Sequence, residues 1–183
     1  MIFFLLVPLI LIICVLIFHF TTLKYLNPYK LTMIFGKKGS GKTTLLTKIT
    51  LQHLCKGWQV YSNVRIPGAY LIKDEDVGRA FIPPNSVLLI DEVGMIWDNR
   101  QYKDFQSHVR DWFKLQRHYK VKVFLFSQTF DIDKKLRDLT DEMYLVENKL
   151  RVFSYSKRII KKIVVVESTG ESSDAPPKQQ QTV

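Results

Sequence analysis

The residues Gly36, Lys37, Lys38, Gly39, Ser40, Gly41, Lys42 and Thr43 spell GxxxxGK followed by Thr, the pattern of a phosphate-binding loop. Such a loop needs glycines because the backbone must turn tightly and aim successive N–H groups at phosphate oxygens. A helix starting near Lys42 adds the positive end of its dipole. In this arrangement Lys42 reaches the β and γ phosphates, the Thr43 hydroxyl ligates Mg²⁺, and Thr44 completes the nucleotide-binding stretch. Lys37 and Lys38 hold loop positions, with side chains that read as solvated charge. Downstream, the apolar run Val87 to Ile90 ends in Asp91 and Glu92. A carboxylate at the end of a buried strand beside a phosphate loop holds the Mg²⁺ water shell, which assigns Asp91, and the next residue, Glu92, is placed to activate water as a general base. Alone, a strand ending in Asp-Glu is commonplace; behind a phosphate loop it points to hydrolysis. Gln128 closes the run VFLFSQ and is a third candidate, for the γ-phosphate or the lytic water. An arginine is also wanted for transition-state charge. Arg100, Arg110, Arg117 and Arg137 are candidates, and spacing does not choose among them. Trp97, Trp112 and Tyr119 could stack on bases, although Trp112 falls on an apolar helix face and reads as core.

Positioning these groups requires strands that end together. YKLTMIFG reads as a buried strand leading into the loop, and the helix after it stops near Gly57. WQVYSNV is a second strand, and Arg65 to Asn85, with Pro67, Gly68, Pro83 and Pro84, reads as loop with one helical turn. SVLLIDEVG and VKVFLFSQ are further strands. Between them, Tyr102 to His118 predicts a helix with Phe105, Val109, Trp112 and Gln116 on one face and Lys103, Arg110, Lys114 and Arg117 opposite, a basic ridge suited to DNA. IDKKLRDLTD predicts a short helix or turn, and EMYLVE with LRVFSYS a pair of edge strands around Asn148 and Lys149. Strands alternating with helices predict an α/β fold with a mostly parallel sheet and right-handed crossovers.

The chain of 183 residues, 46% hydrophobic and 24% charged, has room for one globular domain and excludes a wholly disordered or collagen-like chain. Its apolar residues are unevenly spread. Ile2 to Phe18 carries no charge, so Met1 to Phe20 predicts one transmembrane helix of roughly 30 Å. Lys24, Lys30, Lys37 and Lys38 follow the run and no Lys or Arg precedes it, which predicts the N-terminus outside and the remainder in the cytoplasm. The expected organisation is an anchor over 1–20, a linker over 21–30, an ATPase domain over 31–166 and a disordered tail over 167–183. A net charge of +10 predicts an anionic partner, nucleic acid or an acidic lipid surface. Two cysteines, Cys14 and Cys55, exclude a disulfide framework, and four histidines without HExxH or CxxC company predict no structural metal.

Taken in order, GKKGSGKT, VLLIDEVGMIWDNR, LQRHYK running into VFLFSQ, and KKLRDLTD resemble the zonular occludens toxin type ATPase domain over about Lys30 to Tyr155. That domain is similar to filamentous-phage assembly ATPases and, more distantly, to the FtsK and HerA class of DNA pumps. The resemblance implies a RecA-like P-loop NTPase with an extra strand between the two strands that carry the phosphate loop and the acid pair. It also implies ATP and Mg²⁺ as cofactors, assembly as a ring such as a hexamer, and ATP-driven movement of phage DNA at the host inner membrane with phage coat or assembly proteins as partners. Arg137 becomes a phosphate or intersubunit arginine by the same resemblance. The family's filamentous-phage members carry their anchor after the ATPase domain, whereas here the apolar run precedes it. The resulting expectation is a membrane-anchored ATPase motor for DNA export or virion assembly. Alternatives are a genome-packaging ATPase of a membrane-containing virus, a small-molecule kinase, and a nucleotide-gated membrane scaffold that does not hydrolyse ATP.

Overall fold

Runs of β-branched, aromatic and aliphatic residues, each bounded by a turn, build a seven-stranded sheet in the computed structural model, which describes residues 2–23, 26–97, 107–130, 132–149 and 153–160. The strands are β1 Leu31–Phe35, β2 Gln59–Ser62, β3 Tyr70–Leu71, β4 Ser86–Ile90, β5 Val121–Ser127, β6 Glu142–Lys149 and β7 Phe153–Ile159. Their order across the sheet is β3-β2-β4-β5-β1-β6-β7. Every pairing is parallel except β6 with β7.

The order places β5 between β1 and β4, the intervening strand that the resemblance implies. Register then does the positioning. Phe35 lies opposite Ser127, and Ile90 opposite Leu125, so β1, β4 and β5 finish at one edge of the sheet. Gly36, Asp91 and Gln128 each follow one of those strand ends and are gathered there by topology alone.

The central strands are buried on both faces, as parallel strands covered by helices must be. All five residues of β1 and of β4 are buried. On one face Leu88, Ile90, Val123 and Leu125 pack with Val109, Trp112 and Phe113 of α4 (Ser107–Leu115) and Leu136 of α5 (Lys134–Leu139). On the other, Ile34, Val87, Leu89 and Phe126 pack with Leu46 and Ile49 of α2 (Lys42–Leu54). Each such side chain contributes about 1.5–3 kcal/mol by leaving water. Asp133 caps α5, its Oδ1 accepting from the Lys135 N–H at 2.7 Å and the Leu136 N–H at 3.4 Å.

Three segments differ from the sequence reading. Arg65 to Asn85 is not loop throughout: it contains β3, paired in parallel with β2, and a 3-10 turn Asp74–Asp76. A two-residue exposed edge strand leaves no alternation to read. A short helix α3, Val93–Ile96, follows the acid pair. The helix expected over Tyr102 to His118 is described from Ser107 to Leu115, and Val109, Trp112 and Gln116 are buried as expected. Arg100, Lys103 and Phe105 lie outside the described residues.

The N-terminal run forms α1, Ile2–Leu23, with Pro8 inside it. From Val7 to Thr21 its side chains are exposed. Among the described residues no helix is long and apolar enough to cross a membrane; within α1 the described side chains begin at Val7. The helix expected over residues 1–20 is thus present as α1. The tail expected over 167–183 lies outside the described residues.

Candidate nucleotide site

Gly36, at the end of β1, donates its N–H to Ser127 O at 3.1 Å, tying the loop to β5. A Cβ at Gly36 would stand 2.9 Å from the Val146 carbonyl oxygen and 2.4 Å from Ser40 Oγ, so close approach of backbone to backbone requires glycine there. Gly41 adopts φ +94°, in the left-handed region, and starts α2 with no side-chain cap. No acidic residue stands in the first turn of α2. Its leading N–H groups and dipole are thereby directed at the loop, which suits an anion. Gly39, Lys37 and Lys38 are exposed, as are Thr43 and Thr44 on the first turn of α2.

Lys42 is 7% exposed, and its ammonium donates to Gly36 O at 2.7 Å and to Lys37 O at 3.3 Å. A buried ammonium held inside a glycine loop by two carbonyls is poised for phosphate oxygens. Among the described residues Ser40 Oγ is buried without a hydrogen-bond partner, a polar atom inside the glycine loop beside Gly36. These observations fit a polyphosphate. Beside the loop a cavity of about 660 Å³ opens between Gly36–Ser40, Gln128, Phe130, Glu147 and Tyr155.

Asp91 follows β4 and is half-buried. Burial pushes its carboxyl up, the Glu92 N–H at 2.9 Å draws it back, the Glu92 charge raises it again, and Lys42 lowers it. Asn63, just past β2, fixes this residue from both sides: its Oδ1 accepts the Asp91 N–H at 2.8 Å and its Nδ2 donates to Asp91 O at 3.1 Å. The same Nδ2 donates to Asp74 Oδ1 at 2.9 Å. Asn63 carries no motif. Its signal is positional, an amide side chain at the end of the strand neighbouring β4.

Glu92 adopts φ +54° and ψ +42°, a left-handed conformation that costs a non-glycine residue on the order of 1–2 kcal/mol. Gln128 Nε2 donates to its Oε1 at 2.6 Å. Gln128, expected to hydrogen-bond the γ-phosphate or the lytic water, lines the cavity beside the loop and donates to the candidate base. Among the described residues no three His, Cys, Asp or Glu side chains gather as a metal cage. The donors at hand are the Thr43 hydroxyl and the Asp91 carboxylate, a set that suits Mg²⁺ carrying its own waters and phosphate oxygens.

The other expected residues distribute differently. Arg137, on α5, donates from Nη1 to Phe130 O at 3.0 Å, and Phe130 stacks on Phe35 with ring centroids 4.1 Å apart. It thus braces the segment after Gln128. Arg117 pairs with Asp141, whose Oδ2 accepts the Leu31 N–H, and so sits at the opposite edge of the sheet, away from the loop. Arg110 and Lys114 share Asp111 at 3.5 and 3.6 Å, so the expected basic ridge contains its own counterion. Trp97 is core at 5% exposure, which removes it as a base-stacking platform.

The fold is similar to that of the N-terminal domain of zonular occludens toxin from Neisseria meningitidis, at 17% identity and TM-score 0.54 over 72% of this chain and 94% of that one. It is also similar to the genome packaging NTPase B204 from Sulfolobus turreted icosahedral virus 2 in complex with ATP-gammaS, at 16% identity and TM-score 0.55 over 68% of this chain and 77% of that one. The flagellar accessory protein FlaH from Methanocaldococcus jannaschii follows at 12% identity and TM-score 0.54, over 70% and 77%. No curated protein matches the sequence. These likenesses carry the fold, an α/β architecture whose mostly parallel sheet resembles that of P-loop NTPases. The family model for zonular occludens toxin (Zot) matches residues 30–176, the glycine loop and acid pair included, and the chain belongs to that family.

Proposed function

We propose that the protein is a membrane-anchored ATPase that binds ATP with Mg²⁺ and hydrolyses it to move DNA in phage export or virion assembly at the host inner membrane. The observation that carries the reading is Glu92, held by Gln128 at the same sheet edge as the buried ammonium of Lys42. Bound ATP with Mg²⁺ supplies the phosphoanhydride and the charge that offsets its oxygens. Lys42 and the N–H groups opening α2 bind phosphate. Thr43 and Asp91 hold the metal, and Asn63 holds Asp91. Glu92 takes a proton from water at Oε1 or Oε2, and Gln128 fixes the carboxylate in which that happens. A purely binding scaffold would have no use for a restrained carboxylate at this place.

Anchoring is supported by α1, whose 22 residues would be about 33 Å long and include no Asp, Glu, Lys or Arg. With Lys24 and Lys30 following it, the ATPase domain falls on the cytoplasmic side. A homo-oligomeric ring supplies the transition-state arginine from a neighbouring subunit, since Arg137 is engaged with Phe130 O in its own chain. Similarity to a genome packaging NTPase favours inward packaging as the second reading.

The test is ATP turnover by full-length protein in lipid with no DNA, single-stranded DNA or duplex DNA, beside Glu92→Gln. Stimulation by DNA that vanishes in the variant is expected. ATP bound without turnover in all three conditions would replace the motor with a nucleotide-gated scaffold.

A further inference from the structure

The parallel sheet has two ends. One carries the glycine loop; the other, about 17 Å away along β1, receives the chain from α1. Strand starts define that second end: Gln59 lies opposite Ser86, Ser86 opposite Val121, and Leu31 opposite Val123. Around it stand Lys30, Lys56 in the turn before β2, Arg117, Lys120, Lys122 and, from the antiparallel β7, Arg158 opposite Tyr144. Among the described residues two carboxylates answer these six cations. Glu142 takes Lys30 at 2.6 Å and Arg158 at 3.6 Å, and Asp141 takes Arg117. Among the described residues Lys56, Lys120 and Lys122 make no salt bridge. Lys122 feels the crowding: burial, Lys56 and Lys30 push its ammonium down, while Glu142 raises it. Tyr29 and Trp58, half-buried with ring centroids 6.1 Å apart, stand at the same end.

We propose that this end of the sheet docks on anionic phospholipid headgroups and so aims the glycine-loop edge away from the bilayer. The inference rests on the membrane-anchored reading. Its added content is the orientation, and the identity of residues far apart in sequence that provide it. Leu31 is eight residues beyond Leu23, so a fully extended link spans at most about 28 Å. The tether holds the basic face near the headgroups at high effective concentration. Dissolved nucleic acid would have to compete with that surface. Lys37 and Lys38, which follow the apolar run in sequence, lie on the far edge and do not contribute to this face.

Exposed Cys55, beside Lys56, provides a native probe position. Full-length protein carrying Cys14→Ser is labelled at Cys55 with a fluorophore and reconstituted into phosphatidylcholine vesicles, with or without about one third phosphatidylglycerol, containing a headgroup quencher. Stronger quenching on anionic vesicles is expected. It should fall to the neutral-lipid value in about 1 M salt, where screening is nearly complete. Lys56→Gln with Lys120→Gln should lower the docked-to-free ratio roughly fivefold per lysine, with ATP turnover unchanged. Equal quenching on both lipids by protein that still floats with the vesicles overturns the docking face and leaves the anchor standing. Failure to float overturns the anchored reading itself. Variants that lose duplex DNA binding without any change in lipid quenching assign the face to nucleic acid and also overturn the proposal.

Discussion

Gln128 Nε2 donates to Glu92 Oε1 at 2.6 Å, joining the end of β5 to the residue after Asp91 across the edge where the phosphate loop sits. A hydrogen bond to a charged partner is worth about 1.5–3 kcal/mol, and here it sets where a left-handed, strained Glu92 points its carboxylate. Glu92→Gln should leave ATP bound and lower turnover by about 10²–10⁴-fold. Gln128→Ala should lower kcat by about 10–100-fold with KM little changed. Steady-state kinetics with a separate ATP-binding assay checks both, and a Gln128→Ala enzyme with normal kcat would show that Glu92 needs no restraint.

Lys42 is the buried cation of the loop, with its ammonium on Gly36 O and Lys37 O. Lys42→Ala should weaken ATP binding by about 10–100-fold, the scale of lost charge-assisted hydrogen bonds. The fold should persist, because the loop's shape comes from Gly36 against Val146 and from the left-handed Gly41. Titration of a fluorescent ATP analogue, alongside circular dichroism, measures each part. Unchanged affinity would remove the loop from nucleotide binding.

Much of this site was legible because the chemistry is local in sequence. Gly36 to Thr43 and Asp91-Glu92 each form one contiguous word at a strand end, and fully apolar β1 and β4 declare themselves as central strands. The rest is relational. Asn63 becomes meaningful only when β2 is seen beside β4, and the Gln128–Glu92 bond only when β5 is seen beside β4. The basic ridge of Arg110 and Lys114 holds Asp111 between them, and helical spacing brings Asp111 and Lys114, i and i+3, together. Tyr70–Leu71, two exposed residues at an edge, is shorter than any periodic signal.

Asn63 is the non-motif residue with the most specific consequence. It accepts the Asp91 N–H and donates to Asp91 O, so Asn63→Ala releases both backbone groups of the metal-side residue. A stability loss of about 1–3 kcal/mol is expected from unpaired, part-buried groups. The sharper expectation is a several-fold rise in the Mg²⁺ concentration needed for half-maximal turnover, with ATP affinity nearly unchanged. Asn63→Asp keeps the acceptor for the Asp91 N–H but sets a carboxylate oxygen against Asp91 O and Asp74 Oδ1, so its Mg²⁺ requirement should also differ from that of the native protein. A Mg²⁺ dependence identical in all three proteins would sink the positioning role.

His53 gives the molecule a pH-dependent stability with a defined sign. Its ring is 8% exposed, Nδ1–H donates to Ile49 O at 2.8 Å, and Trp58 and Phe124 contact it edge-on. Burial lowers its pKa from 6.5; the bond to Ile49 O opposes that shift, and the Lys122 and Lys56 charges add to it. The unfolded chain therefore binds a proton that the folded chain refuses. Stability from neutral His53 is complete above the unfolded value of 6.5 and is lost as pH falls toward the folded value. Urea midpoints at about pH 7.5 and pH 5.5 should differ more in the native protein than in His53→Gln, whose amide can donate to Ile49 O but does not titrate. His53→Gln also forfeits the ring's packing, so its stability should be lower at the higher pH, and the two proteins should converge on acidification. Parallel pH profiles would mean that His53 takes up its proton over the same pH range folded and unfolded, and would require the buried ring to accept a charge next to two lysines as readily as water-exposed imidazole does.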